Sequence, residues 1–256
     1  MDKVLTEKFD TKVLPRVGPP AHGGQATEGP HLGRIIRWTT EGFEWESNPK
    51  HYKDLAELCG LKAGSKGSDV PITKTVGKGM RNAIDELNAE DANVFRQAAG
   101  TGLYLSIDRP SLQYAMSETM GGMATPLVKH KLIHHIARYV ARYPAEVWLF
   151  KYQDMPRILR IYTDSDWAGN SETRKSVSCA VENFGAHMLE CSVGKQSIVA
   201  LSSAEAEFYA IVRGAAMGMQ TLQIMEAFVR LLSVTEVKGD DENLVGLRVS
   251  SDSSAA

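Results

Sequence analysis

Cysteine is scarce: Cys59, Cys179 and Cys191 are the three in 256 residues. None stands in a Cys-x-x-Cys pair, which excludes a zinc ribbon, a thioredoxin-type redox motif and a disulfide framework. They read as buried thiols of a reducing compartment. Long apolar runs are absent too, none approaching the roughly 18 residues of a membrane span. The opening MDKVLTEKFD is charged where a secretory signal is apolar. The expectation is therefore no membrane and a cytoplasmic or nuclear location. No segment repeats with a period of about 20–50 residues. An excess of one charge is also missing: 29 Lys+Arg face 31 Asp+Glu, for a net charge of -2. That removes a basic domain as the easiest argument for nucleic-acid binding, but not the partner itself. The balance is uneven, with four basic against eight acidic residues in 201–256.

What is present is ordinary globular composition, 43% hydrophobic and 23% charged, which excludes wholesale disorder and collagen-like repeats. At about 150 residues per domain, the length suits one large or two modest domains. Residues 15–33 hold Pro15, Pro19, Pro20 and Pro30 among five glycines, which predicts a long loop. After it, Ile35, Ile36 and Trp38, then Phe43 and Trp45, predict a short β-hairpin turning at Thr40-Glu41-Gly42. A helix is expected from Pro49 to Gly60, where Tyr52, Leu55, Ala56 and Leu58 recur at helical spacing. Residues 62–80 read as exposed, and helix resumes from Asp91. Val128, Leu132, Ile136, Tyr139 and Val140 mark one face of an amphipathic helix.

The character changes near residue 150. RILRIYTD, SVSCAVENF and AHMLEC predict strands, with a turn at Asn183-Phe184-Gly185. A long helix is expected from Ser203 towards Leu232, with Ala204, Phe208, Ile211, Val212, Ala215, Met219 and Leu222 on its apolar side. An acidic loop over Lys238–Asn243 and a last strand over Leu244–Ser251 follow. The second half is thus expected to be a mixed α/β unit.

Its acidic residues carry the chemistry. Asp164 and Asp166 end the first of these strands, Glu205 and Glu207 open the helix, and Asp252 ends the last strand. Parallel pairing of the first and last strands brings Asp164 and Asp252 to one sheet edge. A glutamate from the helix can then complete a cluster whose mutual repulsion calls for a cation. Mg²⁺ prefers oxygen ligands of this kind, and two such ions can activate water and stabilise a leaving oxygen in phosphodiester cleavage. Ser202-x-x-Glu205 fits a capping box, yet helix phase alone does not choose between Glu205 and Glu207.

YTDSDWAGNSETRKSVS, KQSIVALSSAEAEFYA and LRVSSDSSAA together resemble the ribonuclease H region of copia-type LTR retrotransposon Pol polyproteins. LGRIIRW, KHYKDLAELCGL and FRQAAGTGLYLSIDRPSLQYAMSE are similar to the part just upstream, the reverse-transcriptase tail and connection. The resemblance covers roughly residues 30 to 256. It implies an α/β fold, a ribonuclease H-like mixed sheet with flanking helices over 151–256. A mainly helical connection segment with a short β-hairpin would occupy 1–150. It implies Asp164, Glu207 and Asp252 as metal ligands and catalytic residues. The activity implied is Mg²⁺-dependent endonucleolytic hydrolysis of RNA in an RNA–DNA hybrid, with Mn²⁺ as a substitute ion. Asp166 matches a family position without being assigned catalysis.

Two departures bear on this. The family's fourth metal-site carboxylate lies beyond the segment matching Asp252, and the Asp-Asp motif of a polymerase palm is not found upstream. The expectation is a module incomplete at its C-terminus, with the remainder of a retrotransposon polyprotein as a partner. The alternative function is a non-catalytic relic or nucleic-acid-binding fragment that keeps the fold. Arg174, Lys175, Ser176 and Lys195 are candidates for contacts to hybrid phosphates, which position rather than specify. His130, His134 and His135 lack the glutamate of a His-Glu-x-x-His site and read as helix surface. Gly100-x-Gly102 lacks the third glycine of a dinucleotide loop. Trp38, Phe43 and Trp45 read as packing aromatics rather than stacking partners for bases.

Overall fold

The computed structural model describes residues 13–73, 85–127, 132–170, 173–232 and 245–252. Val128, His130, part of 62–80 and the acidic loop Lys238–Asn243 lie outside the described residues. The chain is an α/β structure with a mixed sheet and flanking helices. Its first sheet has the order β1-β2-β3-β4, from Glu28–His31, Arg34–Thr39, Gly42–Ser47 and Val147–Lys151, all antiparallel. The expected hairpin is β2–β3, and two further strands extend it. β1 forms inside the segment expected to be loop, with Pro30 tolerated on the sheet edge. β4 pairs Trp148 with Trp45 and Phe150 with Phe43, non-local contacts that a local reading of 144–156 does not reveal.

Four helices follow from local signals. α1, Pro49–Leu58, starts on the Asn48 side chain, which accepts from the Lys50 N–H at 2.9 Å, with proline at the first helical position. α2, Ala89–Asp108, is capped by Asn88, which accepts from the Asp91 N–H at 2.8 Å. α3, Pro110–Met120, restarts at a proline, and α4 is Leu132–Arg142. They enclose one core of Leu55, Phe95, Leu105, Leu112, Met116, Ile133, Ile136 and Val140. Gly102 sits where a Cβ would lie 2.8 Å from Met116 Sδ, so this glycine serves helix packing. His134 and His135 bond the Cys59 and Val70 carbonyl oxygens at 3.2 and 3.1 Å.

Asp108 ties the first sheet to these helices. Both its oxygens accept from Arg34 Nε at 2.9 Å, Trp45 Nε1 donates to Oδ1 at 3.0 Å, and Trp148 Nε1 donates to its carbonyl at 2.8 Å. The Trp45 indole, expected to pack, therefore also serves as a part-buried donor, as does that of Trp148.

The second sheet has the order β7-β6-β5-β8: β5 Ile158–Asp166, β6 Val177–Phe184, β7 His187–Lys195 and β8 Gly246–Ser251. The β6–β7 turn uses Gly185 at φ 62°, where a side chain is disfavoured. β5 and β8 are parallel, with Thr163 opposite Ser251. α5, Ser203–Leu232, lies on one face over Leu159, Ile161, Ala180 and Phe184. The face of α5 that meets the sheet is only partly the one expected: Leu222 packs against the core, but Phe208, Val212 and Met219 do not. Ala206, Ala210, Gly214 and Gly218 are buried, whereas Phe208, Val212 and Met219 are exposed. Close approach decides this: a Cβ on Gly214 would lie 2.5 Å from Thr163 Cγ2, and one on Gly218 2.6 Å from Leu247 Cδ1. The first part of the helix packs through its smallest residues, Met217, Leu222 and Met225 pack further along, and Phe208, Val212 and Met219 are left outward.

Candidate metal centre

Two parallel strands and one helix end at the same place. On β5 the inward residues run Ile161, Thr163, Ser165, and on β8 Leu247, Val249, Ser251, because side chains on a strand alternate. Hydrocarbon gives way to hydroxyl as both strands approach their C-terminal ends, where α5 begins. One carboxylate oxygen from each of Asp164, Glu207 and Asp252 lies within 4.8 Å of the others. Asp164 and Asp252 are exposed and Glu207 is buried. Three carboxylates, two of them exposed, form an all-oxygen set that can coordinate a hard divalent cation.

Glu207 is held firmly. Its Oε1 accepts from the Ser165 N–H at 3.1 Å and the Ser165 hydroxyl at 2.8 Å, and its Oε2 accepts from the Ser251 hydroxyl at 3.1 Å. Glu205 is engaged elsewhere. Its N–H donates to Ser202 Oγ at 3.1 Å, its carboxylate accepts from the Leu201 N–H at 2.7 Å, and Tyr209 donates to it at 3.1 Å. The structure thus separates a capping glutamate from a converging one, which helix phase left open. Asp166 points back over Gly169 and is not in the cluster. Buried Gln196 donates to Ser178 Oγ at 2.9 Å and to the Ala206 carbonyl at 2.8 Å, fixing the start of α5 to β6.

The basic candidates fare differently from one another. Arg174 is exposed and adopts φ 56° in the loop between β5 and β6; Lys175 is half-buried beside it. Ser176 is fully buried, and its hydroxyl accepts from the Ala168 N–H at 3.0 Å, so it closes the loop and does not face a phosphate. Lys195 Nζ lies 3.3 Å from Glu118 of α3, an ion pair that joins the second sheet to the first helices. Trp167, half-exposed at the start of the same loop, donates to the Ala200 carbonyl at 3.1 Å.

The thiols are free: Cys59 is buried, and Cys179 and Cys191 are half-buried. Burial pushes Cys59 up to about 12. On β6, Cys179 lies opposite Asp164 of β5 in the register, and a hydrogen bond from Cys191 draws its thiol below the ordinary thiol range. Ser165, Ser251 and Gln196 escaped the reading of the sequence. The signal for the two serines was the period of two along each strand, continued past its last apolar residue.

No protein-family model matches the chain. An uncharacterized mitochondrial protein of Arabidopsis thaliana is 26% identical over 147 residues, 57% of this chain and 61% of that protein. The retrovirus-related Pol polyprotein from transposon RE1 of Arabidopsis thaliana is 30% identical over 122 residues, 47% of this chain and 8% of the polyprotein. The corresponding polyprotein from transposon TNT 1-94 of Nicotiana tabacum is 26% identical over 182 residues, 69% of this chain and 14% of its own length. The chain therefore spans about three fifths of the first relative and a small part of the polyproteins. These matches support a retrotransposon Pol-related origin. Among the described residues, no helix is long and apolar enough to cross a membrane.

Proposed function

We propose that the chain is a nuclease-like relic of a retrotransposon Pol polyprotein. It keeps a ribonuclease H-like module over 151–256 behind a reverse-transcriptase connection segment over 1–150. In this reading it binds a divalent cation and an RNA–DNA hybrid without efficient turnover. The observation that carries it is the convergence of Asp164, Glu207 and Asp252 within 4.8 Å, on a chain whose relatives include Pol polyproteins. Asp164, Glu207 and Asp252 would hold Mg²⁺ or Mn²⁺, which when bound supplies an activated water. Arg174, Lys175 and Lys195 would face hybrid phosphates, Lys195 on leaving Glu118. The cluster comprises three carboxylates among the described residues, a set that can hold a divalent cation.

A second reading, Mg²⁺-dependent cleavage of the RNA strand, draws on the same convergence. Labelled hybrid incubated with Mg²⁺ or Mn²⁺, beside Asp164→Asn, separates the two. The relic is expected to bind hybrid and leave it intact to the same extent as the variant. Cleavage that Asp164→Asn abolishes would replace the relic with an active ribonuclease H. Absence of hybrid binding would end both.

A further inference from the structure

We infer that Ser165 and Ser251 are positioning residues for the cation site, holding the Glu207 carboxylate in the orientation in which it can ligate. The inference rests on the reading of Asp164, Glu207 and Asp252 as a metal site. Glu207 is buried, with 7% of its surface exposed, and a glutamate side chain has several rotatable bonds. The backbone of α5 fixes its Cα but not its oxygens. Three donors do that: the Ser165 N–H at 3.1 Å and hydroxyl at 2.8 Å on Oε1, and the Ser251 hydroxyl at 3.1 Å on Oε2.

A carboxylate offers about four lone-pair positions, so three bonds leave room for one more partner without releasing any donor. The placement follows from the strands. β5 carries Asp164 followed by Ser165, and β8 ends on Ser251 with Asp252 immediately after it, so each aspartate of the cluster has a neighbouring serine turned towards α5. Because β5 and β8 run parallel, both serines reach the same carboxylate from neighbouring strands. Capping does not require them, since Ser202 and Glu205 already serve the start of α5. Partners that orient a metal ligand typically contribute about 10–100-fold to metal affinity.

The test is Mn²⁺ binding to the full chain, read from the loss of the free-ion signal in electron paramagnetic resonance, together with the metal-free Tm of every variant. Ser165→Ala and Ser251→Ala are expected to weaken Mn²⁺ binding about tenfold or more. Ser165→Thr and Ser251→Thr, which keep the hydroxyl, should stay near wild type. A purely structural role would lower the metal-free Tm while leaving Mn²⁺ affinity unchanged. Each alanine variant removes only one of the three bonds, because the Ser165 N–H remains, so either one that folds keeps the comparison sound. Wild-type Mn²⁺ affinity in a folded Ser251→Ala chain overturns the inference and leaves the metal site standing. No Mn²⁺ binding by the wild-type chain at millimolar ion overturns the metal reading, and this inference with it.

Discussion

Two glutamates buried in the same layer show how partners, rather than burial, decide what a carboxylate does. Glu207 has three donors on its two oxygens. Glu182, on the face of β6 that meets α5, is completely buried, and neither of its oxygens accepts a bond of good geometry. Burial raises its pKa, Glu190 adds to the shift, and the nearby Thr221 hydroxyl offsets part of it. A carboxyl with a raised folded-state pKa helps stability most below its unfolded value, and that help is lost as pH rises through the folded value. At neutral pH, Glu182 is therefore a liability. Glu182→Gln keeps the shape and removes the charge, so it is expected to stabilise the fold by about 1–3 kcal/mol at pH 7. The gain should fade towards pH 4. Denaturant unfolding at the two pH values checks this; equal destabilisation at both would show that the Glu182 charge is satisfied in the fold.

At the scale of the element, α5 is governed by what it lacks. Glycine to alanine in a helix interior ordinarily gains up to about 1 kcal/mol in propensity. At Gly218 the added methyl would meet Leu247 Cδ1 at 2.6 Å and Ile161 Cγ1 at 2.9 Å, and overpacking costs about 1–3 kcal/mol. Gly218→Ala is thus expected to be net destabilising by about 1 kcal/mol, and Phe208→Ser on the outward stripe to change stability by less than about 0.5 kcal/mol. A fall in Tm for Phe208→Ser larger than that for Gly218→Ala would show that the large residues, not the small ones, pack.

The contrast also explains what could be read without coordinates. β5, β6, β7, β8 and α5 were legible because strand alternation, Gly185 and the Ser202 cap are local signals. The packed face of α5 was not, because hydrophobic size points to Phe208 and Met219 while the determining quantity is interaxial distance, a tertiary property. β4 escaped for the same reason, since its partner β3 is about a hundred residues away. Within the cluster, Asp164 and Asp252 followed from strand order, whereas choosing Glu207 over Glu205 needed either the resemblance or the observed cap.

For the molecule as a whole, a net charge of -2 and an acidic cluster set the terms on which a polyanion can approach. Phosphates near Asp164, Glu207 and Asp252 would be repelled unless a cation neutralised the cluster, while in the proposed reading Arg174 and Lys175 would attract them from the adjoining loop. Two independent dependences should follow. Millimolar Mn²⁺ is expected to strengthen binding of an RNA–DNA hybrid to the wild-type chain, and Asp164→Asn should blunt that response while leaving the monovalent-salt dependence in place. The double variant Arg174→Ala/Lys175→Ala should do the reverse. It should weaken binding across sequences, lower the slope of log K against log salt by about 2, and retain the response to Mn²⁺. Fluorescence anisotropy across a salt series, with and without Mn²⁺, measures all four quantities. If the basic pair changed the Mn²⁺ response and not the salt slope, the loop would be acting on the metal site rather than on phosphates. A salt slope unchanged in the double variant would move the phosphate contacts to another face of the chain.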